Sequence, residues 1–222
     1  MIFNKKLGIW AAALCACVGT SALTERAEAC GGEWYPVMQV DPRIQGVARA
    51  ETSLPSGKPG LAAASVIRMM PHIKSLKASP GSLVGRAERV LALALARSGG
   101  SLAIAHEVPR EYVGSWVGDK PGQAQQNIAW SLEVLRRQVN AKSDDVSLKT
   151  DLAETLARIP EHRAEARAIL EDLARRDLVA SPEGYATLAA LRSDSGDSEG
   201  QKLALKRCEA MAKSQDACLI RS

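Results

Sequence analysis

Ser181-Pro182-Glu183-Gly184-Tyr185-Ala186-Thr187-Leu188-Ala189-Ala190-Leu191 carries a complete helix start in its first three residues. A Ser cap, a Pro in the first turn and an early acid each suit the unpaired N–H groups that open a helix. Tyr185, Leu188 and Leu191 then fall on one face, and Gly196-Asp197 supplies a turn. A second helix from about Asp197 to Lys213 turns Ala204, Cys208 and Met211 inward. Counting backward, Val146 precedes Pro182 by 36 residues and Glu161 precedes Asp197 by the same interval, so a helix pair repeats. Units of that length that cannot bury an apolar face alone stack on their neighbours.

The remaining chain reads the same way. Leu148, Leu152 and Leu156 stripe a helix over about 146–158, ending before Pro160; Ala166, Ile169, Leu170 and Leu173 stripe the next, over 161–176. Ile128, Leu132, Leu135 and Val139 mark a helix over 123–140, with Trp130 on another side. In 83–97, the run Val90-Leu91-Ala92-Leu93-Ala94-Leu95-Ala96 has no polar face, so this helix must be enclosed by others. Earlier helices are expected over 42–54 and from about Pro59, the latter with Ala63, Val66, Ile67 and Met70 in register. Aromatic residues are only 4% of the chain, and no alternation of period two follows residue 43. A core of Leu, Ala, Val, Ile and Met at helical spacing predicts an all-α fold. Residues 101–121, framed by Pro109, Gly114, Gly118 and Pro121, are expected to form an irregular loop packed on Tyr112 and Trp116, with a short helix at 102–106.

The final unit, Pro182 to Lys213, resembles a tetratricopeptide repeat. Tyr185 and Leu188 correspond to the aromatic and Leu of its first helix, followed by small Ala189; Gly196-Asp197 matches the turn, and Leu205 and Cys208 the packing positions of the second helix. Gln201 stands where a small Ala is usual and Arg192 where an aromatic is usual. Gly57 and Ala62 repeat the turn-to-helix spacing near the start. The resemblance covers about half of the chain beyond residue 29 and is shared with Sel1-like and other helical-pair repeats. It implies a short array of antiparallel helix pairs, an α-solenoid, over 43–222, and a scaffold or adaptor that binds a protein or peptide segment without doing chemistry. Groove contacts in such arrays come from the polar side of first helices, which points to Asn127, Glu133, Lys149 and Arg192.

Residues 1–29 read as an export signal. Lys5 and Lys6 precede an uncharged, Ala-rich run from Leu7 to Leu23, and Ala27-Glu28-Ala29 offers a small-x-small cleavage pattern before Cys30. Three readings stay open. The chain is cut between Ala29 and Cys30; or Leu14-Cys15-Ala16-Cys17, which resembles a lipobox, makes Cys17 a lipidation site; or the run stays as an uncleaved anchor, for which it is short. An exported protein of a bacterial cell envelope follows, periplasmic or extracellular, touching a membrane only through such an anchor. Residues 30–42, broken by Gly31, Gly32, Pro36 and Pro42, are expected to form an extended arm or cap.

Chemistry is sparse. His72, His106 and His162 lie far apart, with no metal-binding spacing among them, and there is no nucleophile elbow, phosphate loop or dinucleotide glycine pattern. The acids Glu107 and Glu111 flank Pro109 without further support as a glycosidase pair. No catalytic, cofactor or metal residue is assigned; the alternative to an adaptor is a small-ligand binder or hydrolase with a site near the 101–121 loop. A net charge of +4, with basic pairs such as Arg136-Arg137 set among acids, argues against a nucleic-acid partner. In an oxidising compartment Cys208 and Cys218 are close enough in sequence to bridge, the rival pairing being Cys30 with Cys218.

Overall fold

The computed structural model describes residues 41–102, 116 and 120–219. Among these are eight α-helices and no strand: α1 (Pro42–Ser53), α2 (Pro59–Met69), α3 (Leu83–Arg97), α4 (Gln123–Ala141), α5 (Val146–Leu156), α6 (Arg163–Arg175), α7 (Pro182–Asp194) and α8 (Ser198–Met211). Short 3-10 turns sit at Ile73–Ser75, Pro160–His162 and Gln215–Cys218. The signal, lipidation and cleavage positions Cys17, Ala29 and Cys30 lie outside the described residues, as does most of the 101–121 loop, including Tyr112, His106, Glu107 and Glu111. No helix of the described residues is long and apolar enough to cross a membrane.

Local chemistry fixes the helix starts. Asp145 accepts hydrogen bonds from the backbone N–H of Ser147 and Leu148, Ser82 from Gly85, Ser181 from Gly184 and Asp197 from Gly200. Each bond satisfies a donor with no partner inside its own helix. After α3 the backbone N–H of Gly100 reaches back to the Leu95 carbonyl, at 2.8 Å. That residue has φ +84° and a Cβ there would sit 2.3 Å from the Ala124 carbonyl oxygen, so only glycine fits.

The helices pack as adjacent pairs: α1 with α2, α3 with α4, α5 with α6, α7 with α8. Successive first helices also touch, α1 with α3, α3 with α5 and α5 with α7. The enclosed helix expected from Val90–Ala96 is α3, buried throughout that run and in contact with α1, α2, α4 and α5. Two apolar clusters result. One gathers α1, α2, α3 and Trp116; the other gathers α4 to α8 around Leu135, Leu156, Leu170 and Leu188. Trp130 packs against both and meets Trp116 edge-on, ring centroids 5.3 Å apart. Its place off the main α4 stripe is therefore the seam between the cores.

Two expectations need correction. Met211 is 42% exposed rather than inward, because α8 ends at that residue, beyond the helix that covers Ala204 and Cys208. The helix expected from Glu161 begins at Arg163, after the 3-10 turn opened by Pro160. Cys208 is both a core residue and bonded to Cys218, the pairing expected from their closeness.

Candidate functional site

A groove of about 1020 Å³ crosses the ends of α3 and α5, the start of α4 and the length of α7. Ala186, Ala190 and Leu191 of α7 form one side, Ile128 of α4 and Ile159 after α5 add apolar surface, and Leu219 closes an edge. Leu219 is there because the Cys208–Cys218 bond ties the tail to α8, while the turn Gln215–Cys218 packs on α7 as well. The residue is 60% exposed.

Ionic chemistry concentrates where α3, α5 and α7 converge. The Arg97 guanidinium donates to both carboxylate oxygens of Glu154, Nε to Oε2 at 2.9 Å and Nη2 to Oε1 at 3.2 Å. Its Nη1 donates to Glu183 Oε1 at 2.9 Å. The three side chains are 12%, 3% and 16% exposed, and all three line the groove. The Ser181 hydroxyl, already the cap of α7, also donates to Glu154 Oε1 at 2.5 Å. Burial pushes the Glu183 carboxyl above its ordinary range, against the opposing pull of Arg97. Next to this cluster the buried Asp151 accepts from Arg89 Nε, and its carboxyl is pushed up to about 6, mainly by burial and further by Glu154, although Arg89 opposes the shift.

Similar ties join the other helices. Arg86 of α3 holds Glu51 of α1, Arg137 of α4 holds the buried Glu88 of α3, and Arg192 of α7 holds Glu171 of α6 at 2.6 Å.

The four residues selected from sequence do not come together, and none lines this groove. Asn127 is fully buried: its amide donates to the carbonyls of Gly100 and Trp116, at 2.8 and 3.3 Å, and accepts from Lys74 Nζ at 3.0 Å. Glu133 is exposed on α4, 3.8 Å from Lys77 Nζ. Lys149 is half-buried on α5. Arg192, in the place of the usual aromatic, also donates to the Gly200 carbonyl at 2.8 Å, so it fastens α7 to α8 as well as to α6. In the loop region, Trp116 is buried beneath Lys74, whose Nζ lies 4.2 Å from the ring centroid. Among the described residues no group of three or more His, Cys, Asp or Glu side chains could hold a metal ion.

Sequence reasoning passed over Arg97, Glu154 and Glu183. Asp151 and Glu154 stand beside the Leu148–Leu152–Leu156 stripe, and only the burial of this helix nearly all round shows that they need a buried cation. No family model matches the chain, and neither a curated protein nor a solved structure matches it.

Proposed function

We propose that this chain is a non-enzymatic interaction protein of the bacterial cell envelope, a tetratricopeptide-like array that holds a protein or peptide segment in the α3–α5–α7 groove. The observation that carries the reading is the groove itself. Its wall is drawn from helices of successive pairs, with Ala186, Ala190 and Leu191 of α7 along one side, the arrangement that an extended segment laid across stacked helix pairs would meet. Arg97 is committed to Glu154 and Glu183, which suits a wall that orients a segment. The order of first-helix contacts, α1 to α3 to α5 to α7, supports a superhelical stack. The Lys5-Lys6 start, the apolar run and the Ala27-Glu28-Ala29 pattern support export.

Site-specific photocrosslinking tests this reading in cells. A photoreactive residue at Ala190, inside the groove, is expected to capture a polypeptide, whereas one at exposed Lys202 on α8 is not. Equal capture from both positions, or none from Ala190, contradicts the proposal.

A further inference from the structure

We infer that the segment held in the groove presents a Lys or Arg side chain to Glu183, with apolar residues on either side. This deepens the groove reading and rests on it. The lining carries the carboxylates of Glu154, Glu161, Glu183, Asp194 and Asp216. Among the described residues, the guanidiniums of Arg97, Arg158 and Arg163 stand against them. Arg163 Nη1 lies 3.1 Å from Asp194 Oδ2, so one cation and one anion match at the rim. At the floor, one guanidinium serves two carboxylates. Arg97 is bidentate with Glu154 and gives a single N–H to Glu183, so among these three nearly dry side chains the carboxyl groups outnumber the guanidinium by one.

A second cation approaching along the groove would complete that balance where solvent screens little. An acidic segment would meet the surplus carboxylate, and the guanidinium it needs is already engaged. The apolar surface beside the charge, from Ile128, Ile159, Leu191 and Leu219, suits the methylene stem of Lys or Arg and aliphatic flanking residues. Positioned in this way, Glu183 selects the occupant and Leu219 covers it.

Selection of a random library of N-acetylated peptides on the full-length, disulfide-bonded chain tests the inference, acetylation removing the terminal ammonium as a rival cation. The expected outcome is enrichment of Lys or Arg next to Leu, Ile or Val. Selected peptides should bind Glu183→Gln at least about tenfold more weakly, and Glu199→Gln, on exposed α8, unchanged. Leu219→Arg, at an exposed position, should also weaken them by placing a competing cation at the wall. Enrichment of acidic or purely apolar peptides, or full affinity in both groove variants, overturns the basic-segment inference and leaves groove binding standing. Failure to select any peptide overturns both.

Discussion

Asp151 is a carboxylate that the fold holds against its own preference. Its pKa rises from an ordinary 3.8 to about 6, so between those values the folded state binds a proton that the unfolded chain has released. Stability from this group is therefore full below about pH 4 and declines as pH rises through about 6. Asp151→Asn removes that slope. Urea midpoints at pH 4 and pH 7 should show wild type losing stability relative to the variant on going to pH 7; parallel behaviour of the two would refute the assignment. At the neighbouring helix contact, a Cβ on Gly184 would lie 2.6 Å from Thr150 Cγ2 and 2.9 Å from Val179 Cγ1. Gly184→Ala is expected to cost about 1–3 kcal/mol, as overpacking does. Thr150→Ser, which deletes the nearer methyl, should recover part of that loss in a double-mutant cycle, while simple additivity would place the cost elsewhere.

At the scale of elements, the last turn is an appendage made part of the structure by one covalent bond. The Cys208–Cys218 link closes a ten-residue separation and holds the tail against α7 and α8. Cys218→Ser should lower stability by about 2–3 kcal/mol on the loop-entropy estimate. Hydrogen exchange should quicken over 212–219 before it does over α7; unchanged exchange there would mean that packing alone holds the tail. The elements themselves were legible in the sequence because their boundaries are local chemistry. Ser181, Asp145 and Ser82 cap the next few N–H groups, and Pro59 and Pro182 sit where a first turn accepts them. Burial of Val90–Ala96 was legible for the same reason, since a face without polar residues needs cover. Met211 was misread because periodicity says which face a residue occupies but not where the covering helix stops.

Across the whole molecule, the site was much less legible than the helices. The groove's ionic floor joins Arg97 to Glu154 and Glu183, residues 57 and 86 positions away. No local pattern announces such a meeting. Polarity alone also misdirects: Asn127 is polar because its buried amide must satisfy the carbonyls of Gly100 and Trp116. Arg192 is charged because it ties α7 to Glu171 and to Gly200. Among the described residues, a chain poor in aromatic residues builds two apolar clusters, mostly of Leu, Ala, Val and Ile, that meet at Trp130. The groove lies across that assembly, walled by helices from successive pairs.

The most direct test of the account is a methyl chemical-shift map of the full-length, disulfide-bonded protein during titration with its strongest selected peptide. Perturbations are predicted at Ile128, Ile159, Ala186, Ala190, Leu191 and Leu219, on the groove wall. Perturbations confined to exposed Leu203 of α8 and the surface around it, or no saturable change at any methyl, would contradict the central claim.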